Sequence, residues 1–393
     1  MDLFARCYNY IRAKVARESG YYPYFKAVES EQDAEVTIDG KKLIMLGSNN
    51  YLGLTSHPKL KEAAQKAIQK YGSGCTGSRF LNGTLDIHLE LEEKLAKFLN
   101  KEAALVFTTG YQTNLGTISS LVGRRDMVFI DRDDHASIVD GCRLSYGKVI
   151  KFKHNDVEDL ARLLESSPDN QGKLVIVEGV YSVGGDIAEL PDMTKTCQRY
   201  GARIMVDDAH GIGILGKNGR GTLEHFGLNN EVDLVMITFS KSLASIGGMI
   251  AGEERVLDFI KHHGRSLIFS ASMPPASVAA VLAALDVIEN EPERRENLLH
   301  NAKIMRNELK NLGFVVADGL TPIIPVTIGD LEKTFFIWNI LFEGGVYVNP
   351  MIAPAVPPEQ SLLRVSLVAT HKPEHLEKAL TVFEKAGKAA GII

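Results

Sequence analysis

Lys241 closes the run Thr238-Phe239-Ser240-Lys241, which directly follows the apolar stretch 234–237. An amine at the end of a buried strand is costly to keep charged, because desolvation disfavours the ammonium and lowers its pKa by several units. Such a lysine is suited to forming an imine with a carbonyl. The hydroxyls of Thr238 and Ser240 flank the same spot and can hold a phosphate, and Gly247 and Gly248 allow close backbone approach beyond it. A second cluster, Val206-Asp207-Asp208-Ala209-His210, also follows an apolar run and precedes Gly211 and Gly213. Alone, an Asp and a His three residues apart have a structural explanation more often than a functional one. The lysine changes that balance.

Together these parts match the needs of a pyridoxal phosphate (PLP). Its electron sink works best with the ring nitrogen protonated, and a carboxylate such as Asp207 keeps it so. The imidazole of His210 can orient the ring through a hydrogen bond to its oxygen. A phosphate needs backbone N–H groups at a helix N-terminus, and Thr109-Gly110-Tyr111 begins a helix after a strand ending at Phe107. His135, after the run 127–130, is of the right class to stack on the ring.

These residues need elements that bring them together. From about residue 56 onward helix and strand signals alternate. Ser56 before Pro58 reads as a helix start with Leu60, Ala63, Ala67 and Ile68 on one face, and Leu91, Leu95 and Phe98 mark another helix. Short apolar runs at 104–107, 127–130, 174–177, 204–206, 234–237 and 249–251 read as strands with helical segments between most of them. That is the signature of a mostly parallel α/β sheet covered on both faces. The strands of such a sheet end at a common edge, where the polar clusters converge. Past Pro274-Pro275 the pattern changes to long helices at about 276–289 and 293–311, short strands at 323–328, 346–348 and 363–367, and a last helix from about His375. The expected organisation is an N-terminal segment of helix and short strands (1–45), a large cofactor-binding domain (46–280) and a smaller α+β domain (281–393).

Composition fits a two-domain globular chain of 393 residues, 45% of them apolar and 24% charged. A net charge of −5 with scattered Lys and Arg gives no field for gathering nucleic acid. Cys7, Cys75, Cys142 and Cys197 form no CxxC pair, so no metal site and a reduced, cytoplasmic setting are expected. No stretch is apolar enough to span a bilayer and no secretory signal is expected. The segment from Leu3 to Arg17 mixes Phe4, Tyr8 and Ile11 with basic residues, so it reads as a helix that packs on its own or a partner subunit, or lies peripherally at a membrane.

The chain resembles the α-oxoamine synthases, fold-type I PLP enzymes of aspartate aminotransferase-like fold. The resemblance runs from Asn49-Asn50-Tyr51-Leu52-Gly53 to Arg364 and includes GSRFLNGT (77–84), GYQTN (110–114), DHAS (134–137), EGVYSVGGD (178–186), VDDAHGIG (206–213), TFSKSLAS (238–245), FSASMPP (269–275) and LLRVSLVATH (362–371). It implies Lys241 as Schiff-base lysine and acid/base, Asp207 as partner of the ring nitrogen, His210 as contact of the ring oxygen and His135 as the stacking group. It further implies Gly110, Tyr111, Thr238 and Ser240 at the phosphate, with Ser270 reaching in from the second subunit of a homodimer. Arg364 would grip the amino acid's carboxylate, for which a guanidinium fork is well shaped. Asn49 and Ser182 are secondary candidates, and Ser78 stands where the glycine-using branch carries Thr, leaving space for a larger amino acid. The implied reaction is a decarboxylating condensation of an amino acid with an acyl-CoA. SGCTGSRFLNGTLDIHLELEEKL (73–95), TFSKSLASIGG (238–248) and VNPMIAPAVPP (348–358) are closest to the branch that joins L-serine to palmitoyl-CoA. The alternatives are the same chemistry on alanine or glycine with a shorter acyl-CoA, and an aminotransferase of this fold type.

Overall fold

The structure is a computed structural model that describes residues 2–18 and 20–393. It divides into two compact units: Asn49–Leu299 with Gly319–Thr321, and the chain up to Ser48 with His300–Asp318 and Pro322–Ile393. At the N-terminus the single helix expected over 3–17 is two short ones, Ala5–Tyr8 and Arg12–Glu18, and neither buries a residue in the chain. Strands β1 (Glu35–Ile38) and β2 (Lys41–Met45) form a hairpin. Its two-residue turn is Asp39-Gly40, both at positive φ, the backbone that a tight right-twisted hairpin requires.

The larger unit is built on seven strands: β3 (Ala103–Phe107), β4 (Met127–Asp131), β5 (Lys148–Phe152), β6 (Lys173–Glu178), β7 (Arg203–Asp207), β8 (Leu234–Thr238) and β9 (Gly248–Gly252). Their order is β3-β9-β8-β7-β6-β4-β5, and β9 alone runs against its neighbours. Six of the seven strands match the expected apolar runs to within a residue or so. The seventh, edge strand β5, was not expected. Its sequence KVIKF carries two lysines and only Phe152 is buried, so it lacks the apolar run that marks a strand covered on both faces.

The Gly110–Leu121 helix packs on β8, β9 and the Ala136–Leu144 helix. The core beneath it includes Phe107, Ile118, Val128, Ile130, Ile138, Ile176, Met236 and Ile250, all buried. Each such side chain contributes about 1.5–3 kcal/mol through burial. The Arg79 guanidinium pins the 77–84 loop to this sheet. It forks onto Glu92 at 2.8 and 3.0 Å, and Glu92 Oε1 takes the Val106 amide of β3 at 2.8 Å. The Pro275–Asn290 helix packs on the Pro58–Tyr71 helix of the same unit. That contact is why the larger unit continues to Leu299 instead of ending near 280.

In the smaller unit, β10 (Val315–Val316), β11 (Ile323–Thr327), β12 (Val346–Tyr347), β13 (Asn349–Met351) and β14 (Leu362–Ser366) complete two further sheets. One is β10-β11-β14-β13; the other adds β12 in parallel to the β1-β2 hairpin. Through that pairing the N-terminal segment, expected to stand apart, becomes part of the C-terminal unit. Arg364 lies here on β14, 3% exposed, with Nη1 donating to Ser366 Oγ at 2.6 Å.

Candidate active site

The strand directions place the ends of β4, β6, β7 and β8, and the Thr109–Tyr111 helix start after β3, on one edge of the large sheet. A cavity of about 340 Å³ opens there. It is lined by residues of β6, β7, β8 and the helix start and by His135 beyond β4, including Gly110, Tyr111, Glu178, Asp207, Thr238, Ser240 and Lys241.

Asp207 ends β7 with 3% exposure. Its Oδ1 accepts the Ala209 amide at 3.1 Å and its Oδ2 accepts Asn114 Nδ2 at 2.8 Å. The same Asn114 nitrogen donates to Ser137 Oγ at 2.8 Å, and that hydroxyl lies 2.8 Å from His135 Nδ1. A continuous string therefore runs from the carboxylate to the imidazole. Burial, with Asp207 opposing it and Lys241 assisting, holds His135 below its ordinary pKa and so favours the neutral ring. The next residue, Asp208, serves another loop, accepting the Thr222 amide at 2.7 Å.

The helix start shows how close an approach it permits. Thr109 Oγ1 caps the helix by accepting the Gln112 amide at 3.1 Å. A Cβ on Gly110 would sit 2.6 Å from Thr238 Oγ1, and one on Gly248 would sit 2.6 Å from the Gly110 Cα. Only glycines let the helix N-terminus, Thr238 and β9 converge this tightly. Thr238 Oγ1 and Ser240 Oγ, 3.0 Å apart, add two hydroxyls to the free helix amides. That combination supplies the kinds of donor a phosphate needs.

His210, 3% exposed, is fixed from behind: its Nδ1 lies 2.7 Å from the Tyr51 hydroxyl, which donates to Asn49 Oδ1 at 3.2 Å. Asn49 thus acts through Tyr51 and does not line the cavity. Tyr111 stands at the mouth, its ring edge-on to His135 at 6.4 Å and its hydroxyl bonded to Asp140. Ser270 lies outside the lining and accepts Gln112 Nε2 at 3.1 Å. Ser78 is buried in its loop and Ser182 lies on the turn after β6; neither lines the cavity.

A polar clamp forms at the end of β4. Asp131, at the end of β4, accepts the amides of Asn155 and Asp133 at 2.7 and 2.8 Å, the Tyr181 hydroxyl at 2.8 Å and His154 Nδ1 at 3.0 Å. His154 Nε2 reaches Asp186 at 3.1 Å. These two carboxylates outweigh the burial of the imidazole and push it up to about 10. Sequence reasoning passed over this clamp, as it passed over Asn114 and Glu178. Asn114 carried one available signal: it sits one turn after Gly110, a polar residue on the buried face of its helix.

The protein-family comparison matches residues 41–383 to the model described as aminotransferase class I and II. The chain belongs to this family, and within it to the α-oxoamine synthases, fold-type I enzymes that work with PLP. It is 52% identical over 374 residues to a serine palmitoyltransferase of Sphingobacterium spiritivorum, covering 94% of both chains. It superposes with a TM-score of 0.97 at 38% identity, over the full length of both chains, on a serine palmitoyltransferase from S. paucimobilis solved with a PLP–myriocin aldimine. An 8-amino-7-oxononanoate synthase of Thermoanaerobacter pseudethanolicus is 41% identical over 98% of both chains.

Proposed function

We propose that this chain condenses L-serine with palmitoyl-CoA, releasing CoA and carbon dioxide and forming 3-ketodihydrosphingosine, with PLP held in the cavity at the sheet edge. The residues fit that cofactor. The Gly110 cradle, which a Cβ would fill, leaves room for a phosphate, and Asp207 and Lys241 line the same cavity. When bound, PLP supplies an electron sink for the negative charge that develops at the amino acid's Cα.

The chain's own groups do the rest. Lys241 would hold the cofactor covalently, and its free amine Nζ would be the base for the Cα proton. Asp207, its two oxygens held by Asn114 and Ala209, would be the carboxylate partner of the ring nitrogen. With Tyr51 engaging Nδ1, His210 would have Nε2 to offer to the ring oxygen. His135, shifted toward the neutral imidazole, would pack on the ring without adding charge. Thr238, Ser240 and the amides of Gly110 and Tyr111 would hold the phosphate, and Arg364 is assigned to the serine carboxylate on the resemblance.

The observation that carries this reading is the string Asp207–Asn114–Ser137–His135 set in one cavity with Lys241. The likeness to the S. spiritivorum enzyme supports serine and a long acyl chain. Alanine with a shorter acyl-CoA is the second reading, favoured by the 8-amino-7-oxononanoate synthase relative. Thiol release measured with serine, alanine and glycine against acyl-CoA thioesters of short to long chain separates them. Turnover of serine with palmitoyl-CoA is expected; turnover of alanine alone refutes the first reading. Release of a keto acid without CoA would point to an aminotransferase instead.

The Ser270 match supports a homodimer with shared sites. The four free thiols support a cytoplasmic setting. Leu3, Phe4, Tyr8 and Ile11, each more than half exposed, support peripheral membrane contact beside Arg6 and Arg12. Among the described residues no helix is long and apolar enough to cross a membrane.

A further inference from the structure

The cavity holds a second carboxyl group to which the proposed reaction gives no task. Glu178 ends β6 and pairs in register with Asp207 at the end of β7. Register partners on neighbouring strands share a face of the sheet, so both carboxyls address the same side. Both line the cavity, and Glu178 is 2% exposed. No hydrogen-bond donor among the described residues reaches its Oε1. An ionised carboxylate placed there, one strand from another carboxylate and with one oxygen bare, is an expensive arrangement. A neutral acid is not.

We propose that Glu178 is a positioning residue that works as a neutral acid, so that Asp207 is the one carboxylate the cavity presents to the ring nitrogen of the cofactor. The inference rests on the function proposed above. Two ionised carboxylates here would repel each other and compete as partners of the ring nitrogen; with one protonated and one ionised, Asp207 is the single anionic partner.

The surroundings of Glu178 act in both directions. Burial first, and the Asp207 charge second, push it up to about 8; the Lys241 ammonium and the backbone amides of His135 and Ser182 act against them. Asp134, whose Oδ1 takes the Glu178 amide at 3.2 Å, is itself raised by burial and then by Glu178 and Asp131, so it does not compete as a second anion. Tyr181, from the turn after β6, is raised as well, burial leading. His135 is shifted toward its neutral form. Apart from the Asp207 carboxylate and Lys241, the groups around Glu178 are therefore shifted toward their neutral states. Asp208, beside Asp207, is likewise raised to about 7, burial leading.

The test is a pH titration of the visible absorbance of the PLP-bound protein, run beside a PLP dissociation constant, for the wild type and for Glu178→Gln, which copies the shape of the neutral acid. The wild type is expected to show a spectral step that follows the Glu178 proton, raised by burial and by the Asp207 charge. The Gln variant is expected to lack that step and to bind PLP within about threefold of wild type. Glu178→Ala, which removes the acceptor for two loop amides, is expected to weaken PLP binding by about tenfold. The inference is overturned by a Gln variant that keeps the step, which assigns the titration to another group, or by one that binds PLP ten times more weakly or does not fold, which shows that the neutral shape does not replace the working form. A wild type that binds no PLP removes the proposed function itself and the inference with it.

Discussion

Replacing His154 by Asn removes the cation of the clamp at the end of β4 while leaving a polar side chain of similar reach. Holding an imidazole at about 10 instead of its ordinary 6.5 corresponds to about 5 kcal/mol, at roughly 1.4 kcal/mol per pH unit. Solvent reaches 24% of the side chain, and screening there brings the figure to about 2–3 kcal/mol. The folded protein holds this proton more tightly than the unfolded chain. The contribution is therefore complete below about pH 6.5, shrinks as pH rises and is gone above about pH 10. At the acid end Asp131, despite its burial, is held below its ordinary value by His154 and the amides of Asn155 and Asp133, so the pair persists until that carboxylate protonates below about pH 3.8. Urea denaturation of wild type and His154→Asn at about pH 6.5, 8 and 9.5 reads the effect. The gap in stability should be about 2–3 kcal/mol at the lowest pH and about 0.5 kcal/mol at the highest. A gap that stays constant across this range would refute the assignment of a charged imidazole, and one below about 0.5 kcal/mol at pH 6.5 would show that the clamp does not stabilise the fold.

Other perturbations test separate parts of the account. Gly110→Ala forces a Cβ to within 2.6 Å of Thr238 Oγ1, and relief of that overlap costs about 1–3 kcal/mol; titration with PLP should show binding weakened by tenfold or more. Arg79→Ala strands the Glu92 carboxylate, only 12% exposed, without its cation, a loss of about 3–5 kcal/mol that chemical denaturation would register. Asn114→Ala takes away a donor from Asp207 and from Ser137 at once. It should lower turnover with serine by about tenfold, through about 1–3 kcal/mol of unsatisfied polar burial, and circular dichroism should show the fold intact.

Much of this architecture is legible along the chain because its signals are local. A strand buried on both faces writes itself as an unbroken apolar run, which is how β4, β6, β7 and β8 and the polar residues after them are found. The Asp39-Gly40 hairpin turn is equally local, though it went unused. Strand β5 is hidden because it sits at the sheet edge, where Lys148 and Lys151 are compatible with pairing. The Leu331–Glu343 helix is hidden too, its run FFIWNILF being too uniformly apolar to show a period. The same division holds at the site. Lys241, Asp207 and His210 announce themselves by following strands. Asn114 meets Asp207 from 93 residues away, only because the Gly110–Leu121 helix lies over the sheet. His154 becomes a clamp only where the β5 turn meets Asp131 and Asp186, and no spacing in the sequence encodes those contacts.

The whole chemical account depends on a covalent bond between PLP and the side-chain nitrogen of Lys241. Borohydride reduction of the PLP-loaded protein, followed by peptide mapping, measures it directly. The label should be found on the peptide carrying TFSKSLAS, at Lys241, and should be absent from Lys241→Ala. A label on any other lysine, or none on a protein that has bound PLP, would contradict the account.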